Sequence, residues 1–265
     1  MLYKERVDKV LVNRGLAESC HKAQALILAG MVFTGDKRIE KPGKMILPEQ
    51  ELILKEKLPF VSRGGLKLKE ALDAFDLVIE GKVAADLGSS TGGFTDCMIQ
   101  SGAKKVYAVD VNTRQFDWRL SQNPRITLIK KNVRYLEKSD FSEDLDIITM
   151  DLSFISVMKV LPAVKKVLNS GNLISLIKPQ FEVGRHQVGK KGIVRDPVLH
   201  QDVLERITDE ARHLGFRAKG VIKTSIRGQK GNQEFFILWT LVNTDQDTLD
   251  IRSMIKEAVW DEKHK

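Results

Sequence analysis

The chain has 265 residues, enough for one large domain with a small one beside it, and 42% hydrophobic with 29% charged residues excludes intrinsic disorder. Lysine and arginine outnumber aspartate and glutamate by 43 to 35, a net charge of +8 that serves either general solubility or an electrostatic footprint for nucleic acid. Two cysteines exclude a disulfide scaffold. No apolar run reaches the ~20 residues of a membrane span, and the N-terminus lacks the apolar core of a signal peptide, so a cytoplasmic protein with no membrane partner is expected.

Val7, Leu11 and Val12 fall at helical spacing ahead of Gly15 and predict a first helix. Glu18 to Gly30 predicts a second, capped by Ser19 and ended by Gly30. Met31-Val32-Phe33 and Leu52-Ile53-Leu54 predict short strands around a loop containing glycine and lysine. On spacing alone a small helical cap domain fits equally well. Two helices followed by short strands, with Arg6-Val7-Asp8-Lys9-Val10-Leu11 and Ala29-Gly30-Met31-Val32, resemble an S4-type RNA-binding domain. Cys20-His21-Lys22 stands where that family more often shows Ser and Arg. The resemblance implies an α+β domain over residues 1–58 that meets RNA through Arg6, Lys9, Arg14 and Lys22, with Arg63 just beyond it.

Pro59 and Phe60 mark a linker, after which strands and helices alternate. Strands are predicted at Val83–Leu87, Lys105–Asp110, Ile147–Asp151, Asn172–Lys178 and Glu234–Val242, with a helix starting at Phe94. This pattern reads as a parallel α/β sheet covered on both faces, a Rossmann-like domain over residues 59–243. Residues 244–265 read as a polar tail forming a short exposed helix.

The most informative stretch is Asp86-Leu87-Gly88-Ser89-Ser90-Thr91-Gly92-Gly93-Phe94, where a strand ends in an acid, a glycine-rich turn follows and a helix begins. A plain βα turn needs one glycine; three permit close backbone approach to a ligand. G-x-G-x-x-G is absent, which disfavours NAD. Gly88-Ser89-Ser90-Thr91-Gly92 matches the G-x-S-x-G nucleophile elbow, with His200 or His213 as available bases, but an elbow normally follows several strands and this loop follows the domain's first. The third reading, S-adenosylmethionine, asks for an acid ending the second strand, where its carboxylate would accept both ribose hydroxyls. Asp110 meets that demand, and this reading is preferred. Gly184 to Lys191 has P-loop spacing, but Lys191 replaces the magnesium-binding hydroxyl; a basic loop over the site fits better. No metal is expected.

Lys67, Asp151, Lys178 and Glu234 are polar residues that a parallel sheet does not need for packing. Asp151 and Lys178 each end an apolar strand, where open α/β sheets place their sites. In order, the four match the Lys-Asp-Lys-Glu tetrad of FtsJ-like ribose 2′-O-methyltransferases. With the S4-like front end, Ser62-Arg63-Gly64, Asp151-Leu152-Ser153-Phe154-Ile155-Ser156 and Lys178-Pro179-Gln180-Phe181-Glu182, the chain resembles the TlyA family of rRNA cytidine 2′-O-methyltransferases, often labelled haemolysins. The resemblance implies S-adenosylmethionine as cofactor, held by the loop from Asp86 to Phe94, Asp110, Val111, Asn132, Val133 and Asp151. Asn132 stands where FtsJ proteins usually carry an Asp near the adenine, and an amide still meets the adenine edge. It also implies ribosomal RNA or ribosomal subunits as partner.

The reaction requires removal of a ribose hydroxyl proton and in-line alignment of oxygen, methyl and sulfur. Lys178 is expected to accept that proton as a free amine, oriented by Asp151, with Lys67 and Glu234 positioning the hydroxyl. A 2′-hydroxyl in paired RNA is poorly accessible, so distortion or base flipping is expected. Phe116 and Trp118 are candidates for stacking on a base, or for ordinary helix packing. The rival functions are a membrane-active haemolysin, a serine hydrolase using Ser90 and a catalytically silent RNA-binding module.

Overall fold

In the computed structural model, which describes residues 3–28, 30–35, 37–54, 58–189, 192–241 and 249–261, the chain divides into residues 1–59 and 60–265, each around its own core. The first unit runs β1 (Glu5–Arg6), α1 (Val7–Asn13), α2 (Cys20–Leu28), β2 (Val32–Thr34), β3 (Lys37–Arg38), β4 (Met45–Ile46) and β5 (Ile53–Leu54). Val7, Val10 and Leu11 put one face of α1 against Ala23 and Ile27 of α2, and Val32, Ile39 and Ile46 close the cluster. Ser19 accepts a hydrogen bond from the Lys22 amide at 3.2 Å, so it does cap α2; Ala29 lies outside the described residues. β1 pairs with β4, while β2 lies between β3 and β5. Asp8 is buried, and the Arg6 guanidinium that grips it (3.1 and 2.7 Å) holds its carboxyl down at about 2.

The second unit begins with α3 (Arg63–Ala74) and β6 (Val83–Leu87), then α4 (Gly93–Gln100), β7 (Lys105–Asp110), α5 (Trp118–Ser121) and β8 (Ile126–Lys130). β9 (Ile147–Met150), α6 (Leu161–Val167), β10 (Asn172–Ile177), α7 (Pro179–Glu182) and α8 (Pro197–His213) follow, and β11 (Phe216–Lys223), β12 (Phe235–Leu241) and α9 (Ile251–Trp260) complete it. Seven strands form one sheet in the order β11-β12-β10-β9-β6-β7-β8. Successive residues face opposite sides: Ala85, Leu87, Ile148, Met150, Ile237 and Trp239 join one core cluster, while Ala84, Ile147, Phe236 and Leu238 join the other.

Two expectations are corrected. The sheet is not wholly parallel: β12 runs antiparallel to both β10 and β11, because residues 224–234 return the chain as a hairpin without a crossover helix. Val242, the predicted end of that strand, lies outside the described residues. The C-terminal helix is not an exposed tail: Ile255 and Val259 of α9 are buried in the main cluster, with Ile251 and Ala258 packed against it. Lys67 lies in the middle of α3. The antiparallel β12 has a consequence for chemistry. Its first end meets the carboxyl ends of β9 and β10, so a residue that opens one strand joins residues that close the others.

Candidate active site

At the carboxyl end of β6 the backbone turns through Gly88 (φ +86°), Ser90 (φ +48°) and Gly92 (φ +94°) into α4. Gly88 passes so close to the Asp151 carbonyl that a Cβ would stand 2.5 Å from it. Asp86 lies beneath this loop. Its fully buried carboxylate accepts from the Thr95 amide (2.9 Å) and hydroxyl (2.7 Å), fastening the first turn of α4, and burial lifts it to about 7. Both bonds fall on Oδ2, Oδ1 meets the Thr149 hydroxyl at 3.4 Å, and the residue also lines the cavity above. Ser89, by contrast, turns a buried hydroxyl with no partner among the described residues onto the cavity above. Asp110, ending β7, accepts from the amides of Ser90 (2.9 Å) and Asn112 (2.8 Å), which ties it to the same loop. Val111 is exposed, Asn132 caps a short turn through the Arg134 amide (3.0 Å), and Val133 is buried. None of Asp110, Val111, Asn132 and Val133 lines the cavity.

The cavity, about 370 Å³, is lined by Ser89, Ser90, Thr91, Gly93 and Phe94 on the loop side and by Lys67, Asp151, Lys178 and Glu234. Those four come from α3 and from the ends of β9, β10 and β12, and they meet as two ion pairs. Lys67 Nζ lies 2.6 Å from Glu234 Oε2, both groups buried. Lys178 Nζ lies 2.6 Å from Asp151 Oδ1 and donates to Ser153 Oγ at 3.1 Å. Gly228 packs against the Glu234 carboxylate where a side chain would collide with it. Breaking a buried pair of this kind costs about 3–5 kcal/mol, because the surviving charge keeps no partner.

Sequence reasoning assigned no role to six further lining residues, Ser62, Gly64, Ser153, Phe154, Gln180 and Phe181, although all stand in the motifs quoted above. Ser62 caps α3 by accepting from the Gly64 amide at 3.3 Å. Phe154 is 87% exposed and holds φ +66°, a costly conformation for an aromatic residue, with its ring 5.0 Å from that of Phe181. Arg63, assigned to RNA, lines the same cavity. In the first unit Lys9 and Lys22 are exposed, whereas Arg14 ties its guanidinium to the carbonyls of Pro48 and Gln50, and Arg6 to Asp8. Phe116 is buried against Gly92, while Trp118 is 72% exposed.

The hydrolase reading fails here for want of a base. No histidine lines the cavity, and His200 is buried, with Nε2 3.0 Å from the Val194 carbonyl and its ring edge-on to Phe235. The basic loop after α7 is pinned instead by Asn232, which donates to the Gly192 carbonyl (2.9 Å) and accepts from the Val194 amide (3.1 Å); Lys190 and Lys191 lie outside the described residues. No helix among the described residues is long and apolar enough to cross a membrane, and no group of three His, Cys, Asp or Glu is placed to hold a metal. The unpartnered Ser89 hydroxyl and the side-chain-free approach at Gly88 fit a cofactor laid along the loop, its polar end against backbone amides.

Residues 60–240 match the family model for FtsJ-like methyltransferases, and residues 5–52 match the S4 domain. The chain is 46% identical over 238 residues to YqxC of Bacillus subtilis, covering 88% of this chain and 85% of that one. It is 38% identical over 250 residues, 93% of each chain, to the 16S/23S rRNA (cytidine-2′-O)-methyltransferase TlyA of Mycobacterium tuberculosis. A solved structure from Streptococcus thermophilus that carries the name hemolysin superposes with a TM-score of 0.75 at 44% identity, covering 98% of this chain and 95% of that one.

Proposed function

The chain belongs to the FtsJ-like methyltransferase family, with an S4 domain ahead of the catalytic one, and from that premise we propose that it methylates the ribose 2′-oxygen of a cytidine in ribosomal RNA, using S-adenosylmethionine. The substrate class follows that of the M. tuberculosis relative, a 16S/23S rRNA (cytidine-2′-O)-methyltransferase. The observation that carries the reading is the meeting of Lys67–Glu234 and Asp151–Lys178 in one cavity beside the glycine loop. Neither pair serves the hydrophobic cores, and four separate elements converge to build them. The protein acts in the cytoplasm, on ribosomal RNA or an assembled subunit.

Bound along the loop, S-adenosylmethionine supplies a methyl group on a sulfonium, already electrophilic. What remains for the chain is to hold a poor nucleophile and take its proton. Lys178 is the proton acceptor, with Nζ fixed between the Asp151 carboxylate and the Ser153 hydroxyl. In its neutral amine form it takes the ribose hydroxyl proton and passes that proton to solvent after turnover, which restores the same form. Lys67, locked to Glu234, positions that hydroxyl from the opposite side. Ser89 and the Gly88 turn would hold the cofactor along the loop, and Asp110, at the end of β7, would meet its ribose hydroxyls.

The test is incubation with methyl-labelled S-adenosylmethionine and ribosomal RNA lacking the modification, followed by mapping of ribose methylation. Label on a 2′-oxygen is expected, with Lys178→Ala lowering turnover at least 10³-fold while cofactor affinity stays within a few-fold. Full activity in that variant removes Lys178 from the mechanism. No transfer to any ribosomal RNA, with the cofactor bound, moves the substrate elsewhere.

A further inference from the structure

The short helix α7 carries Lys178 at its amino-terminal cap, and nearly every other group on it is tied down. Lys178 meets Asp151 and Ser153; Phe181 packs against Phe154; Glu182 accepts from the Val157 amide at 2.8 Å, and its carbonyl accepts from Arg206 at 2.9 Å. Two buried oxygens on the helix have no hydrogen-bond partner among the described residues, Glu182 Oε2 and Gln180 Oε1, and of the two residues only Gln180 lines the cavity. Leaving a buried amide oxygen unpaired is costly, so a ligand that supplies the missing donor is a physical reason to keep one there.

Position along the sheet says which ligand supplies that partner. The cofactor loop follows β6, and its companion acid ends β7. Gln180 follows β10, on the other side of β9, so two strand spacings of about 4.8 Å each separate its strand from that of the loop. It lines the cavity together with Lys178, Phe154 and Phe181. Ser89 Oγ, beside the loop, and Gln180 Oε1, beyond β10, are both buried in the cavity lining without a hydrogen-bond partner among the described residues.

We infer that Gln180 holds the base of the nucleotide being methylated, its carboxamide pairing side by side with the acceptor and donor on the Watson–Crick edge. A carboxamide offers one acceptor and one donor in a plane at the spacing of that edge, as in bidentate Gln–adenine pairs, and cytosine presents the complementary N3 and N4–H₂. This inference rests on the methyl-transfer reading above. It adds a base-holding residue, distinct from the two ion pairs, and requires the base to have left its stack.

The test is a cycle of two changes, scored by kcat/KM. Ribosomal RNA bearing the mapped target cytidine is compared with the same RNA carrying an abasic ribose there, using wild-type protein, Gln180→Ala and the volume-conserving Gln180→Met. Wild type is expected to lose at least tenfold on the abasic RNA. Both variants should lose about tenfold on intact RNA, lose little further on the abasic one, and bind S-adenosylmethionine within twofold of wild type. Losses that multiply, so that the variants slow the abasic RNA as much as the intact one, overturn the assignment, as does weakened cofactor binding with RNA kinetics unchanged. A wild-type protein that methylates neither RNA while binding cofactor overturns the functional reading itself, and the assignment with it.

Discussion

Asp86 sits under the cofactor loop with both strand and helix around it, and its charge is what burial penalises. Folding moves it from about 3.8 to about 7. Between those values the folded chain binds a proton that the unfolded chain has lost, so the stability due to this group is full below about pH 4, falls as pH rises and levels off above about 7. The slope is at most about 1.4 kcal/mol per pH unit. Asp86→Asn keeps an acceptor for Thr95 and removes the titration. The stability of wild type relative to this variant should therefore decline from pH 4.5 to 7 in urea unfolding; two curves that stay parallel would refute the shift. That an acid stands at this strand end was plain in the sequence. Its aim was not, because Thr95, nine residues downstream in the first turn of α4, decides where the carboxylate points. The four residues of the ion pairs were legible as polar groups at strand ends, whereas their pairing, Lys67 with Glu234 and Lys178 with Asp151, depends on distances that only the folded sheet sets.

Elements were legible in proportion to how completely the sheet buries them. β6, β7, β9 and β10 lie inside the sheet, buried on both faces, and read as continuous apolar runs. β8 and β11 are the two edges: β8 is half-exposed along its length, and in β11 Arg217 and Lys219 interleave with buried Phe216 and Ala218 until a bulge before Gly220 breaks the alternation. The same dilution hid the buried face of α9, whose Ile251, Ile255 and Val259 recur every fourth residue among charged neighbours. Helix α9 packs on β11 and α8, at the end of the sheet away from β6 and β7. Ile255→Ala should thus cost about 2–4 kcal/mol through the cavity it leaves. Affinity for S-adenosylmethionine should be unchanged where the variant is folded. Urea midpoints and cofactor titration on the same sample separate the two effects, and an unchanged midpoint would mean that α9 adds nothing to the core.

For the whole molecule, a surplus of eight positive charges does not say where RNA lies, because lysines and arginines here do different work. Arg6 neutralises buried Asp8, and Arg14 braces the turn at Pro48 and Gln50, so replacing either removes structure along with charge. Lys9 and Lys22 are exposed and make no ion pair among the described residues, and their charge is available to phosphates. Each phosphate contact releases counterions and steepens the dependence of log K on log salt by about 0.7 for single strands and 0.9 for duplex. Replacing both lysines by alanine should therefore flatten that slope by roughly 1.4–1.8. Thermal stability and cofactor affinity should hold, since neither side chain enters the core of the first unit. Arg6→Ala should instead lower the melting temperature, leaving the Asp8 carboxylate buried with only Gln24 and the Lys9 amide as partners. RNA titrations across a salt series distinguish the two kinds of residue. If the double lysine variant keeps the wild-type slope, the phosphates are met by other cations, with Arg63 at the cavity the first to replace.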